Sequence, residues 1–491
     1  MKRLAAVLAV LLFAVAVYRA WTQSITYDEA LTWRLYIVTP FSSMLRTYDA
    51  NHHILHTWLV RLITSILGVS TFTMRIAALG GAALYLWTLV RLGTLLFGRT
   101  WLVPATVVLL GGSPLVMDFE VAARGYGLAM AFFFLGLERL VSALLGEARR
   151  KDLWIGGSAL GLSIATNLVF AIPILAASAL FIWLWRPPLL KEEKPKKRHL
   201  QAGSQTAKLN DFLLAFAAAM LLFFFMAPVK HMLKPGLFYV GVPTLGLSLT
   251  DLGTNIVAHN EGIRRLNMAV VDHDVVKRTF GWVVYPGVLL FGLAWGWRQL
   301  RGKSPWNACS LAFFFACTAA ASWILILLLH LATGWPYPVD RTGIYHVPLF
   351  LLVLLGLAAS EAKAVRVGGI VLSAALAVSF AVQFQTTHFR VWRYDADTRD
   401  LVEEIDVRGQ RLGRKMTTGI SWLLEPTVLF YQTTENLRSF EYAVREEMRP
   451  GLDFYLLTQE EMHLIPKYNL REIKTAPVAQ ILMLEPAEGK Q

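Results

Sequence analysis

Two acidic pairs in this 491-residue sequence stand where a carboxylate can do chemistry at a membrane surface. Asp28 and Glu29, in ITYDEALTW, come shortly after an apolar N-terminal run and open a helical pattern. A carboxylate at a helix start meets the positive end of the helix dipole, so it stays ionised and can take a proton from a hydroxyl or hold a divalent cation. The same position suits a helix-capping acid on a wet surface, and spacing alone leaves both readings open. Asp118 and Glu120, in SPLVMDFEVAARGYGLAM, end a later apolar segment. Arg124 follows Glu120 at the four-residue spacing of a helical ion pair, so a local pair competes with a catalytic role.

Other residues suggest ligands. His52, His53 and His56 have a spacing that puts His52 or His53 on one helix face with His56, as in a metal site, though no cysteine accompanies them and polar-face histidines are common. Asp272, His273 and Asp274 in VVDHDVV form a similar group within what reads as a solvated loop. Lys230, His231, Lys234, Arg264, Arg265, Lys277, Arg278 and Arg341 place many cations in two loops between apolar runs. Ordinary solvated charge is one reading. The other is an anionic ligand, and phosphate is what Arg reads best. A phosphate-cradling Gly loop, a Ser–His–Asp order and a dinucleotide fingerprint are absent from the sequence.

The elements that must position these groups are membrane spans. Hydrophobic residues make up 55% of the chain and charged residues 16%, the latter clumped between apolar runs long enough to cross a bilayer as helices. Eleven spans are expected: Leu4–Tyr18, Arg75–Leu96, Trp101–Met117, Tyr126–Leu145, Leu153–Ala165, Leu168–Trp185, Phe212–Met226, Gly281–Trp297, Leu311–Leu331, Val347–Ala359 and Gly368–Val382. The basic, apolar N-terminus also has the look of a cleaved signal peptide, which would leave the following chain on the same side. Ile54–Leu67 reads as an amphipathic interfacial helix, with Ile54, Leu55, Trp58, Leu59, Leu62, Ile63, Ile66 and Leu67 along one stripe.

Charge parity supports that reading. With Ile54–Leu67 not crossing, most loop Lys and Arg, including KEEKPKKRH, fall on the side of Lys2 and Arg3, as the positive-inside rule requires. The net charge of +13 is then a topology signal, and nucleic acid is not an expected partner. The outer loops are 21–74, 118–125, 229–279 and 333–346 within a membrane domain of residues 1–385. Residues 386–491 read as a small extracytoplasmic α/β domain, with strand-like DFYLL and AQILML and helix-like TRDLVEEI. Cys309 and Cys317 lie about 12 Å apart along one helix and cannot form a disulfide. The expected fold is thus an all-α polytopic membrane protein with interfacial helices and a C-terminal α/β domain.

The order of TYDEA, NHHIL, the amphipathic helix, LGVSTFTMR, a span, LFGRT, a further span and SPLVMDFEVAARGY resembles the C-type membrane glycosyltransferases. The nearest group is the superfamily of protein O-mannosyltransferases and lipid A aminoarabinose transferases. The resemblance covers residues 1–185 well, the later spans loosely and the C-terminal domain hardly at all. It implies a polyprenyl-phosphate sugar donor, an outward-facing site and inverting transfer to a lipid, glycan or protein acceptor. Asp28 matches the catalytic base and Glu29 its acidic neighbour. His52 matches the His of an HPPL-like motif whose two prolines are here His53 and Ile54. Asp118 falls near the second-loop acid, and Arg124–Tyr126 match an R-x-Y pattern. Relatives carry Glu two residues before that Arg; here Ala122 stands there, so Asp118 and Glu120 remain alternatives. Arg341, in DRTGIYHVP, matches a late-loop Arg that approaches the donor phosphate.

These residues give an expected machinery. Asp28 is the base. Glu29, Asp118 or Glu120 orient the acceptor, or a cation, magnesium or manganese, for which Asp28 and Glu29 are the candidate ligands. His52, Arg124, Tyr126, Lys230, Arg264 and Arg341 bind substrate. The expected location is the bacterial inner membrane. The rival reading is a transporter or flippase of lipid-linked sugars, which calls for buried charges near the bilayer midplane. The spans carry few: Glu138, Arg139 and Arg91, all towards inner ends.

Overall fold

The computed structural model describes residues 1–185, 195–232, 240–260, 273–301, 306–444 and 447–487, with side chains from residue 206 in the second stretch and from 274 in the fourth. The chain divides into two compact units. One comprises Met1–Val17, Leu45–Trp58 and Ala77–Phe384; the other comprises Tyr18–Met44, Leu59–Ile76 and Gln385–Gln491.

Among the described residues, seven helices are long and apolar enough to cross a membrane: Lys2–Thr22, Thr71–Phe97, Tyr126–Leu144, Thr206–Met226, Asp274–Arg301, Ala308–Thr333 and Lys363–Gln383. Four shorter apolar helices are Ile54–Leu67, Leu102–Gly111, Leu168–Leu184 and His346–Ala358. The expected span Leu153–Ala165 lies within the 17-residue helix Arg150–Thr166. The expected span Trp101–Met117 is not one continuous helix. It stops at Gly112 and restarts as Pro114–Phe119, because Ser113 before the proline is extended at φ −62°, ψ 125°.

In the larger unit His346–Ala358 is buried along its entire length, which makes it a central helix. Arg150–Thr166 meets the helix ending at Met226 through Gly157 and Gly161, where an added Cβ would sit 2.2 Å from the Phe212 carbonyl oxygen and 2.5 Å from the Ala219 Cβ. Backbone contact through small residues is how helices associate in a bilayer, where burial from water supplies no drive. Phe225 and Leu331 are exposed on the outside of their helices, as lipid-facing side chains are. On Ile54–Leu67 the polar His56, Thr57 and Thr64 are buried, whereas Leu62, Ile66 and Leu67 are exposed. The C-terminal part of the apolar stripe is therefore available to lipid, while Ile54 at its start is buried and most of the polar face turns into the protein.

The smaller unit holds a five-stranded sheet: β1 Met416–Ile420, β2 Phe440–Ala443, β3 Phe454–Leu457, β4 Leu470–Thr475 and β5 Leu482–Pro486. The order is β2-β1-β3-β5-β4, with β1 parallel to β2 and β3, and β5 antiparallel to β3 and β4. All four β3 residues are buried, as befits a central strand covered on both faces. Helices Thr398–Leu412 and Glu425–Thr434 complete this α/β layer. The segment around Asp28 belongs to the same unit: Trp33 packs edge-on against Phe430, with ring centroids 5.2 Å apart.

Candidate active site

In the smaller unit the chain after the first helix is held by residues far away in sequence. Thr26 caps the six-residue helix Tyr27–Thr32, and Glu29 completes a capping box: its Oε2 accepts the Thr26 amide at 2.9 Å, while the Glu29 amide donates to Thr26 Oγ1 at 3.3 Å. The same carboxylate receives two hydrogen bonds from Arg75, Nε to Oε1 at 3.0 Å and Nη2 to Oε2 at 2.7 Å. Arg75 also donates to the carbonyls of Ala20, Gln23 and Ser24, and both side chains of the pair are fully buried. Burying two charges is tolerable only with this degree of hydrogen bonding.

Asp28, one residue earlier, is 9% exposed. Two groups of the C-terminal segment fix the backbone just before it. Asp395 Oδ2 accepts the Tyr27 amide at 2.6 Å, and the Tyr431 hydroxyl accepts the Ile25 amide at 2.6 Å and lies 2.9 Å from Ser24 Oγ. Burial pushes the Asp395 carboxyl well above the usual carboxylate range, and the charges of Asp28 and Glu29 push the same way against the bonds from Tyr27 and Thr427.

The larger unit gathers a second set. Asp118, Glu120, Arg124 and Tyr126 are all buried, so the turn that carries them is interior rather than a wet loop. Gly125 makes that turn: its φ of +68° suits glycine, and an added Cβ would lie 2.9 Å from His53 Cβ and 3.2 Å from His56 Cβ. The Tyr126 ring meets Phe119 and His53 edge-on, each at 5.1 Å between centroids. Burial holds the His53 imidazole well below its ordinary pKa, with the positive charges of Arg124 and Arg341 adding to the effect. Burial likewise lowers His52 to about 4, against the Thr47 backbone and the Asp49 charge. Neutral imidazoles beside buried cations make a surface suited to an anion.

Asp118 Oδ2 lies 3.0 Å from His259 Nε2, and His259 Nδ1 lies 3.2 Å from Asn255 Oδ1. Asn255 sits on the helix Leu245–Val257, which braces the turn bearing Arg341. Ser248 Oγ donates to the Pro338 carbonyl, Asp251 Oδ2 accepts the Asp340 amide at 2.6 Å, and Val242 bridges Tyr337. The bracing is needed, since Asp340 has φ +43°, a region that a non-glycine residue seldom occupies. Arg341 itself is half-buried on the short helix Asp340–Gly343.

The structure thus brings together His52, His53, Arg124, Tyr126 and Arg341 in one unit, and Asp28 and Glu29 with Arg75 and Asp395 in the other. Lys230 is exposed on Val229–Met232. Arg264, Arg265, Lys234 and Asp272 lie outside the described residues, as does the side chain of His273. Among the described residues no three His, Cys, Asp or Glu side chains form a metal-binding group. Both oxygens of Glu29 already serve Arg75 and the cap, so the pair Asp28 and Glu29 does not fit a two-carboxylate cation site, and no step is derived through a metal.

The residues missed from sequence are Arg75, His259, Asp395 and Tyr431. Only Arg75 left a signal, an arginine at the head of an apolar span. Three of the span charges are paired with nearby groups: Arg91 and Arg139 flank the buried Glu138 at 3.0 Å each, and Arg139 also holds Asp152 at 2.9 Å.

The sequence matches no family model and no curated protein. Solved structures that match include these three. ArnT from Cupriavidus metallidurans bound to undecaprenyl phosphate has a TM-score of 0.50 at 12% identity, covering 98% of this chain and 97% of that one. Its apo state gives 0.48 at 12% identity over the same shares. An oligosaccharyltransferase from Archaeoglobus fulgidus, tethered to an acceptor peptide, gives 0.37 at 12% identity over 89% and 63%. The chain is therefore an integral membrane protein that shares its fold with ArnT. At 12% identity the likeness to ArnT is one of architecture.

Proposed function

We propose that this protein is an inverting glycosyltransferase that moves a sugar from a polyprenyl-phosphate donor to a hydroxyl-bearing acceptor at the outer face of the bacterial inner membrane. The observation that carries the reading is the cationic surface of the buried Arg124 and half-buried Arg341 beside neutral His52 and His53, on a fold shared with a protein captured with undecaprenyl phosphate. In the reaction the acceptor oxygen attacks the anomeric carbon as Asp28 takes its proton. The bond from the anomeric carbon to the phosphate oxygen breaks, and polyprenyl phosphate leaves with the electron pair. Arg124 and Arg341, with Lys230 and Arg264, stabilise the charge on that leaving group, and His52 and Tyr126 line its seat. Glu29 orients the helix that bears Asp28, and Asp118 or Glu120 positions the acceptor. The acceptor is a lipid, glycan or protein hydroxyl.

The transporter reading lacks a comparable observation, because Glu138, Arg139 and Arg91 are bonded to one another rather than lining a path.

Binding of undecaprenyl phosphate to the full-length protein in nanodiscs tests the proposal. Arg124→Ala and Arg341→Ala should each weaken it by roughly tenfold or more, the worth of a charge-assisted contact to phosphate. Equal binding by both variants and the wild type would remove the basis of the reading.

A further inference from the structure

The hydrogen bonds around His259 fix where its protons are. Asp251 Oδ2 accepts from the Asp340 amide at 2.6 Å and from Asn255 Nδ2 at 2.8 Å. A carboxylate only accepts, so the amide nitrogen of Asn255 must face Asp251 and its Oδ1 must face His259. That oxygen also only accepts, so His259 Nδ1 carries a proton. The other ring nitrogen, Nε2, faces Asp118 Oδ2 at 3.0 Å, which is a second acceptor. His259, Asn255 and Asp118 are each at most 2% exposed, so water does not relieve a mismatch of two facing lone pairs. One proton must lie between Nε2 and Oδ2, and hydrogen-bond acceptors at both ring nitrogens favour the doubly protonated ring beside the carboxylate.

We infer that His259 stands as an imidazolium between Asp118 and Asn255 and is a positioning residue for Arg341. The line of donors and acceptors runs from Asp118 through His259, Asn255 and Asp251 to the Asp340 amide, one residue before Arg341. It ties the helix Pro114–Phe119 to the turn whose guanidinium meets the donor phosphate. Asp118 is thereby committed to the imidazolium rather than to acceptor or proton transfer, which leaves Glu120 as the second-loop carboxylate for substrate. The role given to Arg341 rests on the proposed function; the protonation state of His259 does not.

The experiment uses the full chain in nanodiscs with 15N-labelled histidine, and His259→Gln identifies the signal among the 11 histidines. At neutral pH both ring nitrogens of His259 should show the protonated shift. In Asp118→Asn, whose amide can donate to Nε2, one nitrogen should lose it. A singly protonated ring in the wild type overturns the inference, whatever the activity. The positioning role is read from donor kinetics, or from undecaprenyl phosphate affinity if no transfer is detected. His259→Ala should raise donor KM or Kd roughly tenfold, and His259→Gln, which still donates to Asp118, should recover most of it. An unchanged KM and Kd in His259→Ala overturns the positioning role and leaves the proposed function standing.

Discussion

Asp395, in the C-terminal segment, accepts the backbone amide of Tyr27 at 2.6 Å, one residue ahead of Asp28. The C-terminal segment is therefore part of the scaffold that holds the backbone beside Asp28. Asp395 holds its proton well above the usual carboxylate range, chiefly through burial. The unfolded chain releases that proton near the ordinary value, so the contribution of Asp395 to stability is present at low pH and declines as pH rises towards its raised folded value. Asp395→Asn keeps an acceptor for Tyr27 without the charge. It should be at least as stable as the wild type at neutral pH, with near-normal activity. Asp395→Ala removes the acceptor and should lose both stability and activity. Thermal melts between pH 4 and 8 check the pair of variants.

The Glu29–Arg75 pair gives a sharper stability test. Arg75→Met leaves a buried carboxylate with its partner gone, a change that costs about 3–5 kcal/mol. Glu29→Gln leaves the buried guanidinium and should cost a similar amount. Denaturant titration in detergent measures both. A loss below about 1 kcal/mol, the range of a surface pair, would contradict the burial of this pair.

Gly125 should tolerate no side chain. Gly125→Ala meets a left-handed φ of +68° and places its Cβ 2.9 Å from His53. Gly98 is the control, with φ +64° and no atom near an added Cβ. Gly98→Ala should cost about 1 kcal/mol, the penalty of the backbone alone. Gly125→Ala should cost more and also weaken undecaprenyl phosphate binding, since His53 must move.

His52 sets an acid limit. Its folded value of about 4 lies below the ordinary 6.5, so the unfolded chain binds a proton that the folded protein refuses. The contribution of the neutral ring to stability is complete above about pH 6.5 and is lost as pH falls towards 4, at most about 3 kcal/mol in all. His52→Asn should flatten the pH dependence of the melting temperature in that window.

The membrane helices were legible in the sequence because long apolar runs have few alternatives, and the strand-like DFYLL and AQILML fall on β3 and β5. β1 and β2 were not anticipated: MTTGI and FEYA lack a run of apolar residues, and they are strands because β1 pairs with β3 and β2 pairs with β1. The break at Ser113 was signalled by Pro114, yet the surrounding apolar residues read as one span. Arg75, His259 and Asp395 escaped for a different reason. Each matters through a partner 46, 141 or 368 residues away, and no local pattern marks such a pairing. Of the two acids in the first loop, Glu29 takes the cap and the arginine, and Asp28 is the one proposed as base.

The most direct test is sugar transfer in membranes carrying the wild type or Asp28→Asn at equal protein level. A panel of radiolabelled polyprenyl-phosphate sugars serves as donors and cell-envelope extracts as acceptors, and both transferred sugar and released polyprenyl phosphate are counted. The account predicts transfer by the wild type with one donor and a loss of roughly 10²–10⁴-fold in Asp28→Asn, the usual contribution of a general base. Transfer by Asp28→Asn at the wild-type rate would contradict it.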